Sequence, residues 1–156
     1  MKTFKLTKET FIEYTKIDTN LSYILIDNLD SLEKNINSIK TLIDYFNKEY
    51  KWDVMFNVDD VYDRIKDGHG VFICYYKNYP IGYMWFKELD KDNCFTYNLY
   101  VTNIVERPKY TSYWFYNQTN KMILKKFKEI KMEIFEWNVS AIKIVHQSGA
   151  KCLTIL

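Results

Sequence analysis

Three apolar, aromatic-rich runs crowd together between residues 70 and 102: GVFICYYK, then IGYMWFKEL, then CFTYNLYVT. The links between them, NYP and DKDN, are short and polar. Runs of β-branched and aromatic residues joined this tightly leave room only for hairpins, so the three are predicted to be neighbouring antiparallel strands. The rhythm then changes. Tyr116, Asn120, Ile123, Phe127 and Ile130 follow one helical stripe, with Lys121, Lys125, Lys126 and Lys128 largely off it, which predicts a helix over about residues 113–129. KMEIFEW reads as strand, NVSAIKIVHQSG as helix and AKCLTIL as strand. A helix between two strands of one sheet makes a right-handed crossover, so the strands on either side of it should run parallel.

The N-terminal half is plainer. KTFKLTK alternates Phe4 and Leu6 against Lys and Thr, the pattern of a short half-buried strand. ETFIEYTKI carries Phe11, Tyr14 and Ile17 near helical spacing and is predicted as a weak helix; SYILIDNL reads equally as strand or helix end. From Asp30 the signal sharpens: Asp30 and Glu33 have capping-box spacing, and Leu32, Ile36, Ile39, Ile43, Phe46 and Tyr50 follow in steps of four and three. A shorter helix, with Val58, Val61, Tyr62 and Ile65 on its stripe, stops at Gly68. The prediction is an α+β (mixed α/β) protein whose mixed, mostly antiparallel sheet is flanked by helices. A length of 156 residues, no internal repeat and no Pro/Gly/Ser-rich linker point to one domain over residues 1–156.

Charge and cysteines narrow the function classes. Lys plus Arg number 22 against 20 Asp plus Glu, a net of +2, too mild for a nucleic-acid partner, and the lysines at 121–128 read as a solvated helix face. The three cysteines, Cys74, Cys94 and Cys152, have no metal-ligand spacing and read as small buried hydrophobes in a reducing compartment, so no metal is expected. MKTFKLTKET lacks an apolar signal-peptide core, and no apolar run approaches the ~20 residues that span a bilayer. A cytoplasmic protein without a membrane partner is therefore expected.

The strand and helix order from about residue 59 onward resembles the GNAT superfamily of acetyl-CoA-dependent N-acetyltransferases, a three-layer fold. DDVYDRIKDGHGVFICYYKNYPIGYMWF is similar to that family's helix–strand–hairpin–strand entry, with its habitual glycine at Gly82. EWNVSAIKIVHQSGAK is similar to its helix pattern N-x-x-A-x-x-x-Y-x-x-x-G-F, with Asn138, Ala141 and Gly149 in step. LYVTNIVERPKYTSYW resembles its fourth strand, phosphate loop and helix start. There are departures. The loop's small positions hold Tyr110 and Ser112, the usual Tyr of the helix is Val145, and the closing Phe is Ala150. Almost no sequence remains for a seventh strand, so an open sheet edge, covered by a homodimer, is expected.

The resemblance implies transfer of an acetyl or other acyl group from acyl-CoA to a primary amine of a small molecule, sugar or peptide. It implies that Leu99, Tyr100, Val101 and Thr102 carry the cofactor arm, that Arg107, Lys109, Tyr110, Thr111 and Ser112 meet its phosphates, and that Asn138 lies near the arm. Glycines in such a loop let backbone N–H groups approach a pyrophosphate at a helix N-terminus. Here hydroxyls and cations take that place. Asn138 also suits a helix N-cap. With the usual Tyr gone, Tyr100, Tyr113 and Glu136 are the acid and base candidates. His146, one helical step from Val145 and about 100° away, reads as a solvated or capping residue. The departures define an alternative, a catalytically inactive domain of this fold serving in ligand binding or protein interaction.

Overall fold

The computed structural model describes residues 1–16, 18–51 and 56–153. The elements run β1 (Lys2–Thr7), β2 (Leu21–Ile26), α1 (Leu29–Lys34), α2 (Ile36–Glu49), α3 (Val58–Lys66), β3 (Gly70–Tyr76), β4 (Tyr79–Glu88), β5 (Asn93–Val101), α4 (Thr111–Leu124), β6 (Glu129–Ile134), α5 (Val139–Gln147) and β7 (Lys151–Cys152). The seven strands form one mixed sheet in the order β2-β3-β4-β5-β6-β1-β7. The ambiguous run SYILIDNL is thus a strand, and it pairs antiparallel with β3.

The chain packs as two compact units. One comprises Met1–Ile17, Phe86–Tyr97 and Ser112–Leu156, the other Asp18–Trp85 and Asn98–Thr111. In the first, the alternation at the N-terminus does what it predicted: Phe4 and Leu6 are fully buried. The expected gap for a last strand is filled from within the chain. β1 lies between β6 and β7, antiparallel to both, with Phe4 opposite Met132 on one side and Cys152 on the other. β7, two residues long, borders the sheet there and pairs with β1 at Phe4 and Lys5. β5 and β6, joined through α4, are parallel as the crossover rule requires. β6 and β7 are also parallel to each other, with β1 between them.

The weak helix predicted over residues 9–17 is not formed in its described part. Residues 11–16 are irregular and lie along α4 as a strap. Asn117, completely buried, accepts the Tyr14 N–H at 2.7 Å and donates to the Ile12 carbonyl at 2.8 Å, while Ile12 N–H reaches the Ser148 carbonyl at 3.0 Å. These long-range bonds take the backbone groups a helix would have used. Gly149 permits the crossing: at φ +95°, its missing Cβ would fall 1.9 Å from the Thr10 carbonyl oxygen. Ile17 lies outside the described residues.

In the second unit, the helix predicted from Asp30 splits into α1 and α2 at Asn35. Its cap is Asn28, whose side chain accepts the Ser31 N–H at 2.7 Å; Asp30 instead pairs with Lys34 one turn on, at 3.1 Å. α3 has the reciprocal cap of Asn57 and Asp60, and Gly68 stops it at φ +89°. The β3–β4 hairpin turns on Lys77 and Asn78, both left-handed, at φ 49° and 67°. α4 ends at Leu124, five residues short of prediction.

Candidate functional site

The site begins with a carboxylate that sequence patterning passed over. Ile39, Leu42, Phe46 and Glu49 follow one another in steps of three, four and three along α2, so Glu49 continues an apolar stripe whose Ile39 and Leu42 are buried. It is also the last residue of α2, where the helix dipole opposes a negative charge. Three donors compensate. Glu49 Oε1 accepts from Tyr100 Oη at 2.9 Å, from Thr102 Oγ1, and from the Asn103 N–H at 2.8 Å. Hydrogen bonds to an ionised acceptor are about twice as strong as neutral ones, and together they fix this half-buried carboxylate against the end of β5.

The strand is shaped to meet it. β5 pairs with β6 over Asn93, Cys94 and Phe95, and three residues on Asn98 is left-handed at φ 52°, a kink in mid-strand. Gly82 of β4 lets the backbone of β5 come close: a Cβ there would sit 2.4 Å from the Tyr100 carbonyl oxygen. Thr102 N–H then bonds the Ile81 carbonyl at 2.8 Å. Around Glu49 stand five rings. Phe46 lies 4.9 Å from Tyr50 and 5.3 Å from Tyr100, Tyr83 lies 5.2 Å from Tyr100, and Phe56 lies 6.2 Å from Tyr83, centroid to centroid. Burial holds the Tyr100 phenol well above its ordinary value, and the Glu49 carboxylate adds to the shift. Tyr100 therefore stays protonated and donates.

Of the residues expected at phosphates, two are spent on the loop itself. Arg107 turns its guanidinium onto the loop, with Nε on the Thr102 carbonyl at 2.8 Å and Nη2 on Asn103 Oδ1 at 3.1 Å. Its burial lowers its pKa. Thr111 is buried and donates its hydroxyl to the Pro108 carbonyl at 2.6 Å. Thr102 is buried with its N–H, carbonyl and hydroxyl all bonded within the protein. Tyr110 Oη donates to Asp18 Oδ2 at 3.2 Å. Lys109 is exposed, and Leu99 and Val101 are half-buried at the end of β5 or just before it. In the other unit, Ser112 lies half-buried in the first turn of α4. Tyr113 donates to the Gln147 carbonyl at 3.1 Å and packs on Tyr14, 4.5 Å between centroids. Glu136 is exposed in a turn. Asn138 caps α5, accepting the Ala141 N–H at 3.2 Å, and His146 Nδ1 lies 3.2 Å from the Ala150 carbonyl oxygen.

No family sequence model matches this chain, and no curated protein does either; the likeness is one of structure. An aminoglycoside acetyltransferase from an uncultured soil metagenomic sample, solved with sisomicin, matches at a TM-score of 0.63 and 18% identity, over 85% of this chain and 90% of its own. Arabidopsis thaliana Naa50, solved with the bisubstrate analogue CoA-Ac-MVNAL, matches at 0.59 and 20%, over 84% and 83%. A tandem GNAT protein of clavulanic acid biosynthesis matches at 0.63 and 8%, over 96% of this chain and 49% of its own. The chain has the GNAT fold.

Within that fold, the residues present fit an acyl-CoA donor in part. Lys109 suits phosphate, and in the other unit so do Ser112 and the start of a fourteen-residue helix with no acid in its first turn. Arg107 and Thr111, bonded to loop carbonyls, do not offer themselves, and Asp18 sets a carboxylate against Tyr110. Chemically, the Glu49–Tyr100 pair offers a proton acceptor and a proton donor within one hydrogen bond.

Proposed function

We propose that this protein is an N-acyltransferase that moves an acetyl or other acyl group from acyl-CoA to a primary amine. The observation that carries the reading is a GNAT fold whose fifth strand delivers Tyr100 to the Glu49 carboxylate. The thioester supplies an activated carbonyl: the C–N bond forms, the C–S bond breaks, and the thiol leaves with the proton that the amine gives up. Glu49 takes that proton on Oε2 as the amine nitrogen attacks. Tyr100 Oη gives its own proton to the departing sulfur, and the proton on Glu49 resets Tyr100. The backbone of Leu99, Tyr100 and Val101 carries the donor's arm, and Lys109 meets its phosphates. Tyr113 and Glu136 take no step, the first bonded to Gln147 and the second exposed.

The experiment is calorimetric titration with acetyl-CoA, paired with an assay for thiol release over a panel of primary amines. Binding with amine-dependent thiol release is expected. No heat and no thermal shift at millimolar ligand would refute the reading. One observation favours the alternative of an inactive ligand-binding domain, the Asp18 carboxylate hydrogen-bonded to Tyr110 in the loop. Binding of acetyl-CoA without thiol release from any amine would decide for it.

A further inference from the structure

The donors that hold Glu49 have a support of their own. Resting on the acyltransferase reading, we infer that Arg107 is a positioning residue for the transfer step: it holds and polarises the Thr102–Asn103 peptide that donates to Glu49, and it takes no part in gripping the donor's phosphates. The link is a single peptide unit. Arg107 Nε donates to the Thr102 carbonyl at 2.8 Å, and the N–H of that same peptide, on Asn103, donates to Glu49 Oε1 at 2.8 Å. In a trans peptide the carbonyl and the N–H point opposite ways. A guanidinium at one end and a carboxylate at the other therefore line up with the peptide dipole. Each strengthens the other's hydrogen bond, by roughly 10–30% per bond in such a relay. A parallel relay runs beside it: Ile104 N–H donates to Thr102 Oγ1 at 3.1 Å, and that hydroxyl donates to Glu49 Oε1.

The rest of the guanidinium serves the same turn. Nη2 donates to Asn103 Oδ1 at 3.1 Å, so one planar fork grips both the peptide's carbonyl and the side chain that follows it. Asn103 and Ile104 are exposed, so packing does not fix this turn, and the fork does. The acceptors on Arg107 are neutral oxygens, with Nη1 3.5 Å from the Pro108 carbonyl. A half-buried cation resting on carbonyls needs a counter-charge nearby. Burial lowers the Arg107 pKa, and Cys74 and Glu49 act against that. Cys74 stays a neutral thiol, pushed up by its own burial, which leaves Glu49 as the counter-charge. A lysine at this position would keep the charge but reach one acceptor of the two.

The test takes the full chain as wild type, Arg107→Gln, Arg107→Lys, Glu49→Gln, and each Arg107 variant combined with Glu49→Gln. Three quantities are measured: single-turnover acyl transfer at saturating amine, acetyl-CoA affinity by calorimetry, and the Asn103 amide proton resonance. The amine is the one of the panel with the fastest thiol release. Thermal melts verify folding, and Arg107→Lys carries the test if Arg107→Gln does not fold. Arg107→Gln should lower the rate about tenfold and Arg107→Lys at least about threefold. Acetyl-CoA affinity should stay within about twofold, and the Asn103 amide proton should move upfield, as Glu49→Gln moves it. In the Glu49→Gln background either change should cost under about twofold in rate. A tenfold loss of acetyl-CoA affinity would make Arg107 a phosphate ligand. Equal losses with and without the Glu49 carboxylate, or an unmoved Asn103 resonance, would remove its action through the peptide. Each of these overturns the inference. The two proposals fail separately. An Asn103 resonance that moves in a protein releasing no thiol with any amine leaves the link from Arg107 to Glu49 standing and removes the acyltransferase. Transfer at the wild-type rate in both Arg107 variants does the reverse.

Discussion

Glu49 and Asn117 are both polar residues on helices, and both tie in a stretch of chain from far away in sequence. Asn117 is completely buried, and both ends of its amide are bonded, to Tyr14 and Ile12 of the strap and to Ser148. Glu49 is half-buried and held by one oxygen. The difference separates architecture from chemistry. A buried amide with its partners all internal has nothing left to offer and serves to fix the strap against α4. A carboxylate anchored through one oxygen is positioned and still able to accept a proton or a cation through the other.

Substitution should pull the two apart. Asn117→Leu strands the Tyr14 N–H, the Ile12 carbonyl and the Ser148 hydroxyl, so it should cost about 3 kcal/mol or more in urea unfolding. A loss below about 1 kcal/mol would mean that water replaces the amide and that the strap is not held as described. Gly82→Ala tests the other region from behind. Its Cβ would meet the Tyr100 carbonyl oxygen at 2.4 Å and push β5 aside. About 2 kcal/mol of stability should go with it, from overpacking alone. Thiol release should fall as well, because Tyr100 moves relative to Glu49; full activity in the destabilised variant would break that link. The smallest effect is a labelling pattern. Burial pushes the Cys94 thiol up to about 12 and raises Cys74 further, so neither forms thiolate at pH 8, whereas Cys152 is exposed on β7. One thiol should react in the native protein and three in denaturant. A second fast-reacting thiol would show that β3 or β5 opens.

How much of this was legible follows from the range of the interactions. The meander, the parallel crossover through α4, the Asn138 cap and the burial of Phe4 and Leu6 are written in local spacing, and they form as predicted. The strap was misread because Phe11 and Tyr14 do keep helical spacing; what overrides it is Asn117, more than a hundred residues away. The place of β1 between β6 and β7 is equally silent in sequence, since a period-2 pattern fixes a strand's faces but not its neighbours. Asn28 and Asp30 compete for one cap only two residues apart, and local pattern does not choose between them. At the candidate site, Tyr100 and Thr102 were reached through resemblance. Glu49 did carry its own signal, a charge in step with Ile39, Leu42 and Phe46, and it reads as surface only if the stripe is taken through Ile43 and Tyr50.

The central claim is that Glu49, the last residue of α2, does chemistry and does not merely hold the end of β5. Single-turnover acyl transfer from acetyl-CoA to the primary amine of the panel that gives the fastest thiol release, measured for the wild-type protein and Glu49→Gln at saturating amine, tests it most directly. The account predicts a rate about 100-fold lower in the variant, with acetyl-CoA affinity unchanged and the fold intact, since glutamine keeps an acceptor for Tyr100, Thr102 and Asn103 but takes no proton. Equal single-turnover rates for the two proteins would contradict it.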